Sequence, residues 1–130
     1  MSVAVGYASS KEGRAALHAA INEAALRATT LQILGPAVAE ESTASDLDIK
    51  EAIQAAASLG VRATLRRHEG LDPADIMIDA SYEEDVELIV IGVRRRSPVG
   101  KLFLGSTAQR VILEAGCPVT AVKADVGPVA

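Results

Sequence analysis

Aromatic side chains are almost missing from this sequence of 130 residues, which contains only Tyr7, Tyr82 and Phe103 and no tryptophan. Modules that bind nucleic acid by stacking bases need several exposed aromatic rings. Seventeen acidic against thirteen basic residues leave a net charge of −4, which attracts no polyanion over a distance. We therefore expect no nucleic-acid partner.

Cysteine and long apolar runs are also scarce. Cys117 is the single cysteine, so the chain holds no internal disulfide framework. No apolar run approaches the roughly 20 residues that cross a bilayer, and the N-terminus shows no charged segment followed by an apolar one. The sequence predicts a soluble, cytoplasmic protein with no membrane partner.

Because aromatic residues are few, we expect the core to consist of aliphatic residues. The apolar fraction of 49% and the charged fraction of 23% are ordinary for globular proteins and exclude intrinsic disorder. At about 150 residues per domain, the length predicts one domain over residues 1–130, with residues 124–130 as a frayed tail.

Hydrophobic patterning divides the chain into alternating strands and helices. Apolar and β-branched runs predict strands at residues 2–7, 31–34, 61–66, 88–92 and 118–122. Helical periodicity predicts helices at residues 10–28 and 46–59, a third that opens at Asp72-Pro73, and a fourth that runs from residues 105–107 to Gly116. Gly35-Pro36 is expected to end the second strand because proline has no N–H for the ladder, and residues 37–45 are expected to form a loop.

Capping residues support these helix boundaries. Ser9 or Ser10 can cap the first helix, and Glu12 completes a capping box if Ser9 is the cap. Gly60 stands where a left-handed residue ends the second helix, and Asp72 is in position to cap the third.

Five strands that alternate with four helices predict the α/β fold class, as a doubly wound, five-stranded, mostly parallel sheet with four crossover helices. Ligands of such sheets bind outside the carboxyl ends of the strands, where the strand order switches. The residues that follow the first and fourth strands, 8–10 and 92–106, are therefore the first candidates for a site.

Three features resemble the universal stress protein family. They are the run Ile89-Val90-Ile91-Gly92, the thirteen-residue step from Gly92 to Gly105-Ser106, and the closing Cys117-Pro118-Val119. The resemblance implies a Rossmann-like fold of the adenine nucleotide alpha-hydrolase-like type. It also implies a homodimer that pairs through the last strand, at Val119, Thr120, Ala121 and Val122.

The ATP-binding branch of that family carries a glycine, two residues, a glycine, nine residues, and then a glycine before serine or threonine. Gly92, Gly105 and Ser106 match this pattern, whereas Arg95 replaces the second glycine. Glycines let backbone approach a phosphate, and the start of the following helix, with Ser106 and Thr107, supplies donors. Arg95 either fills the phosphate site or pairs with a phosphate.

A second departure lies at the adenosine side, where the resemblance places Tyr7, Ala8 and Ser9. Nucleotide-binding relatives typically carry an aspartate at the position of Ala8, and a methyl group accepts no hydrogen bond. The loss of such a charged partner costs about 1.5–3 kcal/mol, or roughly ten- to hundredfold in affinity.

No catalytic residue stands out elsewhere in the chain. Cys117 is interpreted as a small core residue, His18 as a surface residue, and a ligand contact is left open for His68 at the end of the third strand. The acidic connection before the fourth strand fits no metal loop and is interpreted as solvated, at Glu83, Glu84, Asp85 and Glu87. We expect no metal site and no enzyme, with at most a slow ATPase side activity.

Two functional hypotheses remain open. The first is a homodimeric regulatory or interaction protein with an unidentified protein partner, no required cofactor, and a degenerate site that binds ATP weakly or not at all. The second is a module in which bound ATP or AMP biases dimerisation or partner binding. In both hypotheses the ligands to consider are ATP, AMP or a phosphate-like anion.

Overall fold

A computed structural model describes residues 1–36, 43–68, 71–94 and 104–124. Strands and helices alternate along the chain. Their order is β1 (Ser2–Gly6), α1 (Lys11–Leu26), β2 (Thr30–Pro36), α2 (Thr43–Ser58), β3 (Ala63–His68), α3 (Pro73–Ser81), β4 (Val86–Val93), α4 (Ser106–Glu114) and β5 (Val119–Lys123).

The five strands form one parallel sheet in the order β3-β2-β1-β4-β5. This arrangement confirms the predicted fold class. Helices α1 and α2 supply Leu17 and Ile49 to the core on one face, whereas α3 and α4 supply Met77 and Val111 to the core on the other. The sheet is therefore doubly wound, and β1 lies at its centre.

The buried stripe of α1 is built largely from alanines. Ala16, Ala20 and Ala24 are spaced by four residues and are fully buried, beside Leu17 and Ile21. Alanines at i, i+4 spacing lie on one helical face and let the helix approach the sheet closely. The predicted face of this helix is confirmed.

Strand β2 ends with Gly35-Pro36, but its predicted last residue, Leu34, is two residues short, because Gly35 and Pro36 still pair with β3 and Pro36 lies opposite His68. The Leu34 carbonyl accepts from the Tyr7 N–H at 3.0 Å, so Leu34 faces β1. Backbone groups alternate between neighbours along a parallel strand, and Pro36 therefore also faces β1, which has ended at Gly6. The missing N–H costs no ladder bond there.

Two other boundaries also differ from the prediction. Helix α2 begins at Thr43, although residues 37–45 were expected to form a loop, because polar residues of a first turn leave no apolar periodicity. Strand β3 begins at Ala63, two residues late. The Val61 N–H donates to the Ala56 carbonyl at 2.8 Å and closes the end of α2, with Gly60 at φ +79° as predicted.

The N-cap residues of α1 and α3 are Ser10 and Asp72. The Ser10 hydroxyl accepts from the Gly13 N–H at 3.0 Å, so Ser10 is the cap and the Ser9–Glu12 capping box does not form. Asp72 occupies the cap position of α3, but its carboxylate makes no capping bond and lies 3.2 Å from Arg110 Nη1. The ion pair between Asp72 and Arg110 thus connects the start of α3 to α4.

Strand β4 is longer than predicted, over Val86–Val93, and it lies between β1 and β5. Ala124 is buried, whereas the rest of the expected tail, residues 125–130, lies outside the described residues. Within the described ranges, no helix is both long enough and apolar enough to cross a membrane.

Candidate functional site

A cleft of about 810 Å³ opens at the carboxyl ends of the strands. Strands β1 and β4 are neighbours there, and the helices that follow them lie on opposite faces of the sheet, which makes this point the switch in strand order. The volume lies in the range of small-molecule sites. Seven sequence-predicted residues line this one cleft: Tyr7, Ala8, Ser9, Gly92, Gly105, Ser106 and Thr107.

The start of α4 forms one end of the cleft. Gly105 is its N-cap residue, and no side chain there bonds to the first-turn N–H groups. A Cβ built on Gly105 would meet no atom of the described residues within 4 Å. Backbone donors at a helix start bind anions, and Gly105, Ser106 and Thr107 lie at such a start beside the cleft, where phosphate binding stays a prediction.

Gly92 is needed for the close packing of β4 against α1. A Cβ at this position would overlap the backbone carbonyl of Glu12 in α1. Any side chain at position 92 would therefore push the first turn of α1 away from β4. The fold by itself requires this glycine, and its role in phosphate approach stays a prediction.

The adenosine-side candidates separate into two kinds. Ala8 and Ser9 are exposed at the end of β1. Tyr7 is buried in the core beneath α1 and α2, and its hydroxyl donates to Asp48 Oδ2 at 2.7 Å. The Tyr7 ring thus holds α2 against the sheet, which leaves Ala8 and Ser9 as the accessible pair.

Arg94 is the described residue of the run Arg94-Arg95-Arg96 that follows β4. Its guanidinium is exposed, with Nε 3.6 Å from Glu12 Oε1, and both residues line the cleft. Arg95 and Arg96 lie outside the described residues, so the role of Arg95 stays a prediction.

His68, for which the sequence left a ligand contact open, lies at the edge of the cleft. It is the last residue of β3 and lines the cleft. Its Nδ1 is buried, and within the described ranges it has no hydrogen-bond partner. The signal available in the sequence was its place directly after a strand, at the carboxyl edge of the sheet.

The acidic connection before β4 is partly exposed, as its solvated interpretation requires, but Glu83 also forms an ion pair that the sequence did not predict. Arg66 holds Glu83 in a bidentate pair with two N–O distances of 2.9 Å. Hydrogen bonds from Arg66 lower the pKa of Glu83, with burial opposing them, and those bonds raise the pKa of Arg66. The described ranges contain no group of three or more His, Cys, Asp and Glu side chains placed to hold a metal ion.

Cys117 lies away from this cleft, half-buried against the core beneath α3 and α4. Burial raises the pKa of its thiol. A raised pKa disfavours the thiolate, which is the nucleophilic form. These observations favour the packing role predicted for Cys117.

Comparison with known proteins assigns the chain to a family. The family model described as the universal stress protein family matches residues 1–123. The chain belongs to the universal stress protein family. The resemblance noted in the sequence is thereby confirmed, as is the adenine nucleotide alpha-hydrolase-like fold.

Individual universal stress proteins match over nearly the whole chain. One from Mycolicibacterium smegmatis is 38% identical over 125 residues, which are 93% of this chain and 96% of that protein. The structure of one from Archaeoglobus fulgidus has a TM-score of 0.71 at 31% identity, over 95% of this chain and 98% of that one. A structure from the same organism in complex with dAMP has a TM-score of 0.65 at 26% identity, with the same two coverages.

Proposed function

We propose that this universal stress protein is a regulatory or interaction protein that acts as a homodimer and binds ATP weakly or not at all. It needs no cofactor and catalyses no reaction in this role. Its partner is another protein, and cytoplasmic localisation is part of the proposal.

Ala8 is the main support for the proposal that ATP binds weakly. It is exposed at the end of β1 and lines the cleft, so a ligand bound there would contact its methyl group. A methyl group accepts no hydrogen bond from a ribose hydroxyl. Arg95 adds bulk at the position of a family glycine, although a guanidinium can also pair with a phosphate.

The two edges of the sheet support a homodimer through β5. The β3 edge carries the exposed charges of Arg62 and Arg67, which discourage pairing with a second strand. The β5 edge has the uncharged run Val119-Thr120-Ala121-Val122. Lys123, the last residue of β5, is the charged residue of this strand, and the four uncharged residues before it favour association with a copy of the strand about a two-fold axis.

The intact cleft favours a second candidate, a nucleotide-responsive module. The start of α4 and the open space at Gly105 leave room for a phosphate group. A relative of the same family holds dAMP. In this candidate ATP or AMP occupies the cleft and biases dimerisation or partner binding.

Titration calorimetry with ATP and with AMP tests the proposal on four proteins: the parent chain, Ala8→Asp, Arg95→Gly, and the double variant. We expect weak ATP binding by the parent and a gain of about tenfold or more for Ala8→Asp, because a charged hydrogen bond is restored. Ala8 is exposed, so the aspartate fits without repacking.

Ala55→Asp is the matched control, since it makes the same substitution at an exposed position on α2 that does not line the cleft. It should not raise ATP affinity. Micromolar ATP binding by the parent chain would refute the proposal of a weak site. A fall in affinity on Arg95→Gly would make the arginine a phosphate ligand.

A further inference from the structure

Glu12 lies in the first turn of α1, where another residue fills the capping role. The cap is Ser10, whose hydroxyl accepts from the Gly13 N–H at 3.0 Å. The carboxylate of Glu12 instead lies 3.6 Å from Nε of Arg94, the residue that follows β4. Both partners of this ion pair line the cleft. Glu12 is therefore a carboxylate of the cleft, and its role there is still to be explained.

The close packing of α1 against β4 holds Glu12 at one end of the cleft. Its backbone carbonyl lies so near Gly92 that no Cβ fits between them. The chain continues from β4 to the start of α4, so Glu12 borders the end of the cleft where Ser106 lies. The Glu12 side chain is 26% exposed, whereas that of Arg94 is 77% exposed. Glu12 is thus the more enclosed member of the pair.

The charges around the cleft nearly cancel. With histidine counted as neutral, Glu12 and Arg94 are the charged side chains among the described lining residues. The N-terminal ends of α1 and α4 also border the cleft, through Ser10 and Ser106, and a helix N-terminus carries about half a positive charge. These two ends and Arg94 attract an anion. Glu12 opposes them.

Ligand charge separates a role of Glu12 in binding from a role in stability. A carboxylate in a first turn stabilises its own helix, and an exposed ion pair contributes little to folding. Neither effect depends on what occupies the cleft. The electrostatic effect of Glu12 on a ligand, in contrast, grows with the charge of that ligand.

A carboxylate at position 12 also differs from one at position 8. Ala8 follows β1, and the family resemblance places it at the adenosine side, where an aspartate accepts a hydrogen bond. Glu12 packs against β4, on the side of the cleft that leads to the start of α4. A phosphate group at that start would meet the carboxylate as a like charge.

We propose that Glu12 determines which ligands the cleft accepts, by lowering its affinity for anions in proportion to their charge. The carboxylate offsets Arg94 and the two helix N-termini, so an uncharged ligand keeps its affinity and a polyanion loses the most. This inference rests on the proposed weak binding of ATP and deepens it, because it adds a second cause to the methyl group of Ala8.

Adenosine, AMP and ATP are the probes, because they share one nucleoside and carry increasing negative charge. Glu12→Gln keeps the size of the side chain and removes its charge. In calorimetry without magnesium at low ionic strength, we expect this variant to bind adenosine like the parent, AMP about threefold more tightly, and ATP about tenfold more tightly. In about 1 M sodium chloride, where the Debye length is about 3 Å, the gain for ATP should shrink to about twofold or less.

Glu23→Gln is the matched control. Glu23 lies on the same helix, its Oε1 is 2.9 Å from Nε of Arg27, and it does not line the cleft. The substitution removes the same charge from the chain and should leave all three affinities within about twofold of the parent. Arg94→Gln tests the opposite sign, and it should weaken ATP binding severalfold without changing the affinity for adenosine.

The outcomes separate the role of Glu12 from the proposal on which it rests. A gain for adenosine as large as that for ATP would overturn the role of Glu12, because a charge effect leaves adenosine unchanged. An equal gain for Glu23→Gln would overturn it too, as would ATP binding that stays undetectable at millimolar concentration in both the parent and Glu12→Gln. Micromolar ATP binding by the parent would refute the weak site alone, since the ratio of the Glu12→Gln and parent affinities still decides the role of Glu12.

Discussion

At the scale of single residues, Arg66 is the centre of a polar cluster on the α3 side of the sheet. It donates to both carboxylate oxygens of Glu83 at 2.9 Å and to Gln32 Oε1 at 2.6 Å. Arg66 and Glu83 lie on separate elements, so the pair connects β3 to the turn after α3. This partly exposed pair is expected to add up to about 1 kcal/mol to the free energy of unfolding.

Glu83→Gln should lower the free energy of unfolding by that amount at pH 7 and by much less at pH 3. The pKa of Glu83 is lowered in the folded chain by hydrogen bonds from Arg66. The stabilisation is therefore present above the ordinary glutamate range and is lost as the pH falls through the lowered pKa. Urea unfolding at both pH values measures it.

Glu84→Gln is the control for this pair, because Glu84 is exposed in the same turn. It should change the free energy of unfolding little at either pH. An equal loss for Glu83→Gln at pH 3 and pH 7 would contradict a role that depends on the ionised carboxylate.

At the scale of elements, a glycine lies at the start of α4 and another at the end of α2, and the two differ in backbone conformation. Gly105 precedes α4 at φ −66°, a conformation that any residue adopts, and no side chain caps the helix. Gly105→Ser should therefore raise the free energy of unfolding by a few tenths of a kcal/mol. The new hydroxyl should also take the first-turn N–H groups away from an anion.

Phosphate titration followed by amide spectra measures this effect. In the parent chain, phosphate at low salt should shift the amide resonances of Gly105 and Ser106, and in Gly105→Ser the shift of Ser106 should weaken severalfold. Unmoved resonances in the parent chain would contradict an anion site at the start of α4.

Gly60→Ser is the matched control, since it makes the same substitution at the end of α2. Gly60 has φ +79°, and a side chain there has open space but a disfavoured backbone conformation. The variant should lose about 1 kcal/mol of unfolding free energy and keep the phosphate response. The two substitutions are thus expected to have opposite effects on stability.

At the scale of the whole molecule, β5 is the edge through which we expect two copies to pair. The Ile89 N–H donates to the Pro118 carbonyl at 3.0 Å, so the backbone groups of Thr120 also face β4. Those of Val119 and Ala121 consequently face the free edge. Ala121 is also exposed, which leaves its N–H available to a second strand.

Ala121→Pro removes that N–H and should convert the dimer to a monomer at micromolar concentration, as measured by sedimentation. Ala121→Ser is the control, because it retains the N–H and should leave the dimer intact. A parent chain that sediments as a 13.5 kDa species would refute the homodimer. So would unchanged association of the proline variant.

The sequence by itself determined the order and type of all nine described elements and the residues at the switch point. Each of those signals is local. Periodicity marks Leu17 and Ile21 on one face of α1, φ above zero selects Gly60, and strand alternation with crossover helices requires a parallel sheet.

Tertiary structure decided what depends on residues far apart in the chain. Pro36 remains in β2 because β1 has already ended beside it, Gly92 is required by the carbonyl of Glu12, and Glu83 is paired because β3 brings Arg66 to it. The buried Nδ1 of His68 belongs to the same class, since burial is a property of the assembled fold. Local patterns carry no information about such contacts, because each depends on where a distant segment comes to lie.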